Sequence, residues 1–502
     1  MSNAGTNRKK QTGAEVEFGR IMAAFVVPHP PLIIPDVGRG SEEQVADTIA
    51  AYRQVARRIV ALHPDTIIIT SPHATMYADY FHISPGESAR GSFAQFGAGQ
   101  VSFDEEYDSE LCLQLCGECE AADIAAGTLG EIEPALDHGT MVPLYFIRQE
   151  EARLAGDSLS GDDSGHPRSK ILRIGLSGLP LTEHYKLGVK IRRAVEAVGR
   201  RAVFVASGDL SHKLQDYGPY GFAPEGPVYD ERVMDVLGRA AFGELLEFDE
   251  TLCEKAAECG HRSFVIMAGA FDGYAVDAEV FVHQDVTGVG YGIAAFTPGE
   301  KDESRHFLDQ YMRKMEERTA AARRDEDPYV ALARRSVESY ILHRKKLKIE
   351  GEAETAGQIK MPAELTDTQA GAFVSIHEFG KLRGCIGTIL PYCDCLAQEI
   401  IDNAVSASTR DPRFAPITAD ELPYLEINVD VLTEPERIDS PDELDVKRYG
   451  VIVTCGAKRG LLLPDLDGVD TVEQQISIAM QKGGILPGED YVLDRFEVVR
   501  HT

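Results

Sequence analysis

The sequence predicts two unlike halves: an α/β N-terminal domain with a central sheet flanked by helices, then a C-terminal α+β domain with an antiparallel sheet. Three observations lead there. The chain has 502 residues, room for more than one domain of roughly 100–200 residues. From Met22 to Pro298, short β-branched runs alternate with segments of helical apolar period, the pattern of a sheet wrapped by helices. After Gly299 the alternation gives way to a charged helical stretch and then to β-rich segments with hairpin turns.

The elements follow in order. Residues 1–21 are polar and lack the apolar core of a signal peptide, so a disordered leader is expected there. AAFVVPHPP opens the first domain (22–299) with a buried strand. SEEQVADTIAAYRQVARRIVAL is an amphipathic helix, and DTIIITSPH is a second strand. KILRIGLSG, RAVFVASGD and AEVFVHQDV are further strands, with HYKLGVKIRRAVEAVG helical between the first two of these. The Gly-, Ser- and Asp-rich stretch 155–170 reads as a surface insertion. A linker helix is expected over 300–324, where charge is dense. The second domain, 325–502, opens with the helix PYVALARRSVESYILHRKK. Its strands are GAFVSIHEFGKLRGCIGTIL, YLEINVDVLTEPERI and GVIVTCGAKRGLLLP, with CLAQEIIDNAVSAS and TVEQQISIAMQKGG helical.

Composition excludes some functions. Lys and Arg total 51 against 81 Asp and Glu, a formal charge of −30. Such a surface repels a phosphate backbone, so no nucleic-acid partner is expected. No apolar run approaches the about 18 residues of a membrane span, and a cytoplasmic location is the expectation. Nine scattered cysteines fit a reducing compartment better than a disulfide framework. Cys112, Cys116 and Cys119 share one helical face and read as small packed hydrophobes.

Ligands in α/β domains gather beyond the carboxyl ends of strands. His29, His73 and His212 each follow a different strand at such a position, and prolines on both sides of His29 stiffen its loop. Three imidazoles at equivalent places point to one metal centre. His63, His82, His166, His184 and His283 lack that placement and read as structural or surface groups. Glu258, Cys259 and His261 lie at a break between two helices and offer a carboxylate, a thiol and another imidazole. Two histidines with a carboxylate would suit Fe(II), whereas a thiolate would favour copper or zinc. Asp209 reads equally as a partner that orients His212 or as a loop cap.

VPHPP, SPH, LDHGTMVPL, SGDLSH and the Glu-Cys-Gly segment together resemble the class III extradiol ring-cleaving dioxygenases and their Memo-like relatives, over about Met22 to Pro298. The resemblance implies a non-haem Fe(II) site, with His29 and His73 as metal ligands. It implies His212 as the catalytic acid/base and His138 as a second active-site histidine. The third ligand is Glu258 on the dioxygenase pattern or Cys259 on the Memo-like one. The implied reaction is cleavage of a small aromatic, catechol-type substrate with O2. The candidate apolar walls are Phe25, Tyr77, Tyr80, Phe81, Tyr217 and Tyr220.

LRGCIGT, DPRF, LPYLEINVDVL and GLLLP resemble the AMMECR1 domain. There Arg383 is placed to pair with Asp411 or an anion. Cys385 reads as a nucleophile beside an arginine or as a core residue. Cys393 and Cys395 offer two thiols, too few for a closed zinc site. DPRF reads as an Asp-to-backbone turn with a buried Phe414. The pairing of the two domains also resembles AmmeMemoRadiSam systems. It implies a separate radical SAM protein as partner, since this chain lacks a CxxxCxxC cluster motif.

Overall fold

The computed structural model describes residues 19–157, 168–349, 361–466 and 468–502. Most of the expected leader, and the middle of the 155–170 stretch, lie outside the described residues. The chain divides into two compact units between Tyr311 and Met312.

The first unit is built on a six-stranded sheet. Its order is Lys170–Gly175, Thr66–Ser71, Arg201–Ser207, Arg20–Val27, Tyr291–Lys301, Tyr274–Gln284. The first four strands are mutually parallel. The last two form an antiparallel hairpin laid along Arg20–Val27. Parallel strands need both faces covered, which explains their near-continuous apolar runs. Thr66–Ser71 is buried throughout.

Alternation decides which face each side chain joins. Ile68, Leu172, Ile174, Phe204 and Val26 enter one core, together with the helices Leu181–Val198 and His261–Ala270. Ile67, Ile69, Val203, Val205 and Phe25 enter the other, against the helix Ala46–Ala61. That helix buries Tyr52, Val55, Ala56 and Ile59, one stripe at helical spacing. Cys112 and Cys119 are buried in the first core as small hydrophobes, and the half-buried Cys116 packs against it.

Because four strands run the same way, their carboxyl ends open on one edge of the sheet. The loops after Val27, Ser71 and Ser207 carry His29, His73 and His212 to that edge. The expected linker region is strand as far as Lys301, and its helix spans Phe307–Asp325. Phe307, Leu308 and Tyr311 pack against the first core.

The second unit has two four-stranded antiparallel sheets. In one, Ala372–Glu378 pairs with Lys381–Gly387 across Phe379 and Gly380, both at positive φ, the geometry of a tight hairpin turn. Its apolar face packs against the helices Pro328–His343 and Leu396–Thr409. The other sheet packs against the helix Val472–Lys482.

Two expectations for this unit, the Arg383–Asp411 pairing and a buried Phe414, need correction. Arg383 pairs with Glu421 at 2.6 Å, not with Asp411. Asp411 instead binds Arg413 at 2.7 Å and accepts the Cys385 N–H. Phe414 is only half-buried, beneath the Arg413 guanidinium. Cys385 is half-buried and accepts a hydrogen bond from Ser375 Oγ at 3.3 Å. Cys393 and Cys395 belong to no ligand triad among the described residues.

Candidate metal centre

His29 is buried, and its N–H and both ring nitrogens have polar neighbours. Its N–H donates to Asp209 Oδ1 at 2.7 Å. Its Nδ1 lies 3.0 Å from Ser207 Oγ, and that hydroxyl donates its one proton to the Gly139 carbonyl at 2.6 Å. Nδ1 must therefore be the donor to Ser207, which leaves a lone pair on Nε2. That lone pair points into the cluster, with His73 Nε2 3.0 Å away and Cys259 Sγ 3.6 Å away.

His212 is locked the same way. Its Nδ1 lies 2.5 Å from the Ala257 carbonyl, which can only accept. Nε2 is left free and faces Asp209 Oδ2 at 3.8 Å. His138 opens the helix His138–Asp157, and its ring centroid lies 4.0 Å from His73 and 5.4 Å from His29. The four predicted histidines thus do converge. Two overlapping ligand triads form: His29, His73 and Cys259, and Asp209, His212 and Cys259, each with ligand atoms within 4.8 Å of one another.

Helix capping separates the two adjacent candidates, Glu258 and Cys259. Glu258 turns its carboxylate onto the N–H of His261 at 2.6 Å, at the start of the helix His261–Ala270. A carboxylate there satisfies an orphan helix donor and complements the helix dipole. It is therefore not among the converging atoms, whereas the next side chain, Cys259, is. Close backbone contact makes this possible. A Cβ on Gly208 would meet Gly260 Cα at 2.1 Å, so glycine at both positions lets the Cys259 segment reach the strand ends. His261 faces away, onto Tyr229 and the Leu245 carbonyl.

Electrostatics fit a cation. Burial lowers His29 to about 3, helped by neighbouring His73, and lowers His138 to about 4. Both imidazoles are thus held neutral, the state a metal needs. Burial, with Asp209 and Glu258 nearby, pushes the Cys259 thiol well up. It also raises Asp209. Two acids that are reluctant to ionise, facing neutral nitrogen lone pairs, form a site that a bound cation would stabilise. The donor set of thiol and imidazoles fits a transition metal.

Beside His73 and His138 lies a cleft of about 920 Å³, lined also by Arg90, Gln95, Phe103 and Asp104. None of the six aromatics expected as walls is among its lining. Phe25 and Phe81 are buried in the two cores. Tyr77 and Tyr80 pack on each other, and Tyr217 is exposed. Tyr220 alone reaches the centre, with its ring edge-on to His212 at 5.1 Å. Sequence reasoning missed Ser71, Ser207 and Arg173. The first two end the strands whose following loops carry His73 and His212, and Arg173 is a charge inside the apolar run KILRIG.

Residues 23–294 match the family described as the catalytic LigB subunit of aromatic ring-opening dioxygenase. Residues 330–501 match the AMMECR1 family. A protein of Clostridium acetobutylicum is 37% identical over 95% of this chain and 98% of its own length. A protein of Thermotoga maritima is 48% identical over 35% of this chain and 98% of its own length. An uncharacterized protein of Pyrococcus horikoshii with a crystal structure is 30% identical, covering 34% of this chain and 88% of its own, with a TM-score of 0.31. The chain belongs to the family of the LigB subunit of ring-opening dioxygenases, joined in one polypeptide to an AMMECR1 domain.

Proposed function

We propose that this protein is a Memo-like metalloprotein that works with a separate radical SAM protein, and that its metal is held by His29, His73 and Cys259 without catechol cleavage. One observation carries the reading: Cys259 Sγ lies 3.6 Å from His29 Nε2 while the Glu258 carboxylate caps a helix. A thiolate beside two imidazoles favours copper or zinc over the two-histidine, one-carboxylate set of non-haem Fe(II). When bound, the metal would supply a Lewis-acidic or redox-active centre. Ser207 and the Ala257 carbonyl hold His29 and His212 in the tautomers whose Nε2 atoms are free. His212 Nε2, on the open side of the cluster, is positioned to take or return a substrate proton. The cleft beside His73 and His138 is lined mainly by polar side chains, which favours a polar substrate over a simple ring.

The second reading is Fe(II)-dependent ring opening of a catechol-type substrate with O2, supported by the family match over residues 23–294. Anaerobic metal analysis separates the two, using wild type, Cys259→Ser and Glu258→Gln. Copper or zinc lost in Cys259→Ser but kept in Glu258→Gln supports the thiolate-held centre. Stoichiometric Fe(II) kept in Cys259→Ser, with oxygen uptake on adding catechols, would overturn it.

A further inference from the structure

Arg173 heads the fully buried side chains by volume, with none of its side chain exposed. A buried guanidinium is tolerated only when its donors are satisfied. Here they are satisfied largely by one loop. Nη1 donates to the Ala135 carbonyl at 2.6 Å. Nη2 reaches the Glu133 carbonyl at 3.3 Å and Glu131 Oε1 at 3.4 Å. Nε donates to Ser84 Oγ at 2.7 Å. The clamped segment supplies Glu133, Ala135, Leu136 and Asp137 to the cleft wall and then enters the helix that begins at His138.

The contacts continue past the loop. Arg173 Nη1 lies 3.8 Å from Asp137 Oδ2. Asp137 caps the His138 helix by accepting the Thr140 N–H at 3.0 Å. Its Oδ1 also accepts the Ser71 hydroxyl proton at 2.6 Å, and Ser71 Oγ accepts the His73 N–H at 3.2 Å. One continuous strut therefore joins a buried cation to the backbones of two histidines whose rings are 4.0 Å apart. Gly139 belongs to the same fit, since a Cβ there would meet Ser71 Oγ at 2.3 Å.

We propose that Arg173 is a positioning residue that acts through Asp137 and Ser71 to fix His73 and His138 relative to one another, and so shapes the mouth of the metal centre. The planar fork matters as much as the charge. A lysine ammonium cannot reach Ser84, Ala135 and Asp137 from one rigid plane. Only the metal arm of the test rests on the reading of His73 as a ligand.

The test uses the full chain, metal-free and labelled with 13C on histidine, as wild type, Ser71→Ala, Asp137→Asn and Arg173→Lys. Ring resonances of His73 and His138 should shift in all three variants, while those of His283 and His306 stay. Added Co(II) should bind roughly 10- to 100-fold more weakly in each. Unmoved rings and unchanged Co(II) affinity in Ser71→Ala and Asp137→Asn, with cooperative unfolding retained, would overturn the proposal. Those two variants decide the matter if Arg173→Lys does not fold. If the rings move but wild type binds no Co(II), the strut stands and the metal reading falls.

Discussion

Replacing Ser207 by alanine tests the centre at its deepest point. Ser207 Oγ is buried, donates to the Gly139 carbonyl at 2.6 Å and accepts from His29 Nδ1 at 3.0 Å. Alanine removes both bonds without adding bulk. The Gly139 carbonyl and the His29 Nδ1–H are then buried without partners, at about 1–3 kcal/mol for each such group. His29 also loses the contact that selects its tautomer and ring angle. Loss of such an outer partner weakens metal binding by roughly 10- to 100-fold, or about 1.4–2.7 kcal/mol.

The assay is an anaerobic competition titration against a chromophoric chelator, run with zinc and with Fe(II), alongside thermal unfolding. Ser336→Ala is the control, because Ser336 is equally buried and donates to the Ile401 carbonyl at 3.0 Å in the second unit. Both variants should lose stability, and only Ser207→Ala should lose metal affinity. Wild-type affinity in Ser207→Ala, with binding abolished in His29→Ala, would show that the Ser207 contact does not set the ligand.

Gly208→Ala should cost about 3 kcal/mol, the upper end for overpacking, because its Cβ would meet backbone at 2.1 Å; a melting temperature near wild type would refute that. Arg334 donates to Glu326 at 2.5 Å and to the Leu425 carbonyl at 3.0 Å, nearly enclosed. Arg334→Met should therefore destabilise the second unit by roughly 3–5 kcal/mol in a denaturant titration. Arg413 beside Asp411 holds that carboxyl well below the usual range. A depressed folded value stabilises fully above the ordinary value and is lost as pH falls through the folded one. Thermal stability of wild type should thus fall more steeply than that of Asp411→Asn as the medium is acidified below about pH 4, and parallel curves would count against the pair.

The sheet was legible in the sequence because its signal is simple. Parallel strands buried on both faces read as unbroken apolar runs, and the histidines just past their ends could be named by position alone. Contacts set by backbone geometry were less legible. No pattern says that Tyr274–Gln284 returns antiparallel at the sheet edge, or that Arg383 turns to Glu421 rather than Asp411. Phe25 and Phe81 seemed available as walls because periodicity identifies apolar residues without saying which core claims them.

Glu258 and Cys259 show where sequence reasoning reaches its limit. The two adjacent side chains point apart here, where a helix begins at His261. The first orphan N–H groups of that helix need an acceptor, and the side chain placed to serve them is Glu258, three residues before the His261 amide. The thiol is thereby turned toward His29, and Gly208 and Gly260 remove the atoms that would keep it out. The proposed thiolate centre thus rests on how one helix is capped. Residues 258–261 already contain the glutamate and the glycine that this requires, so the same arrangement in a related chain is the feature to look for before assigning ring-cleaving chemistry.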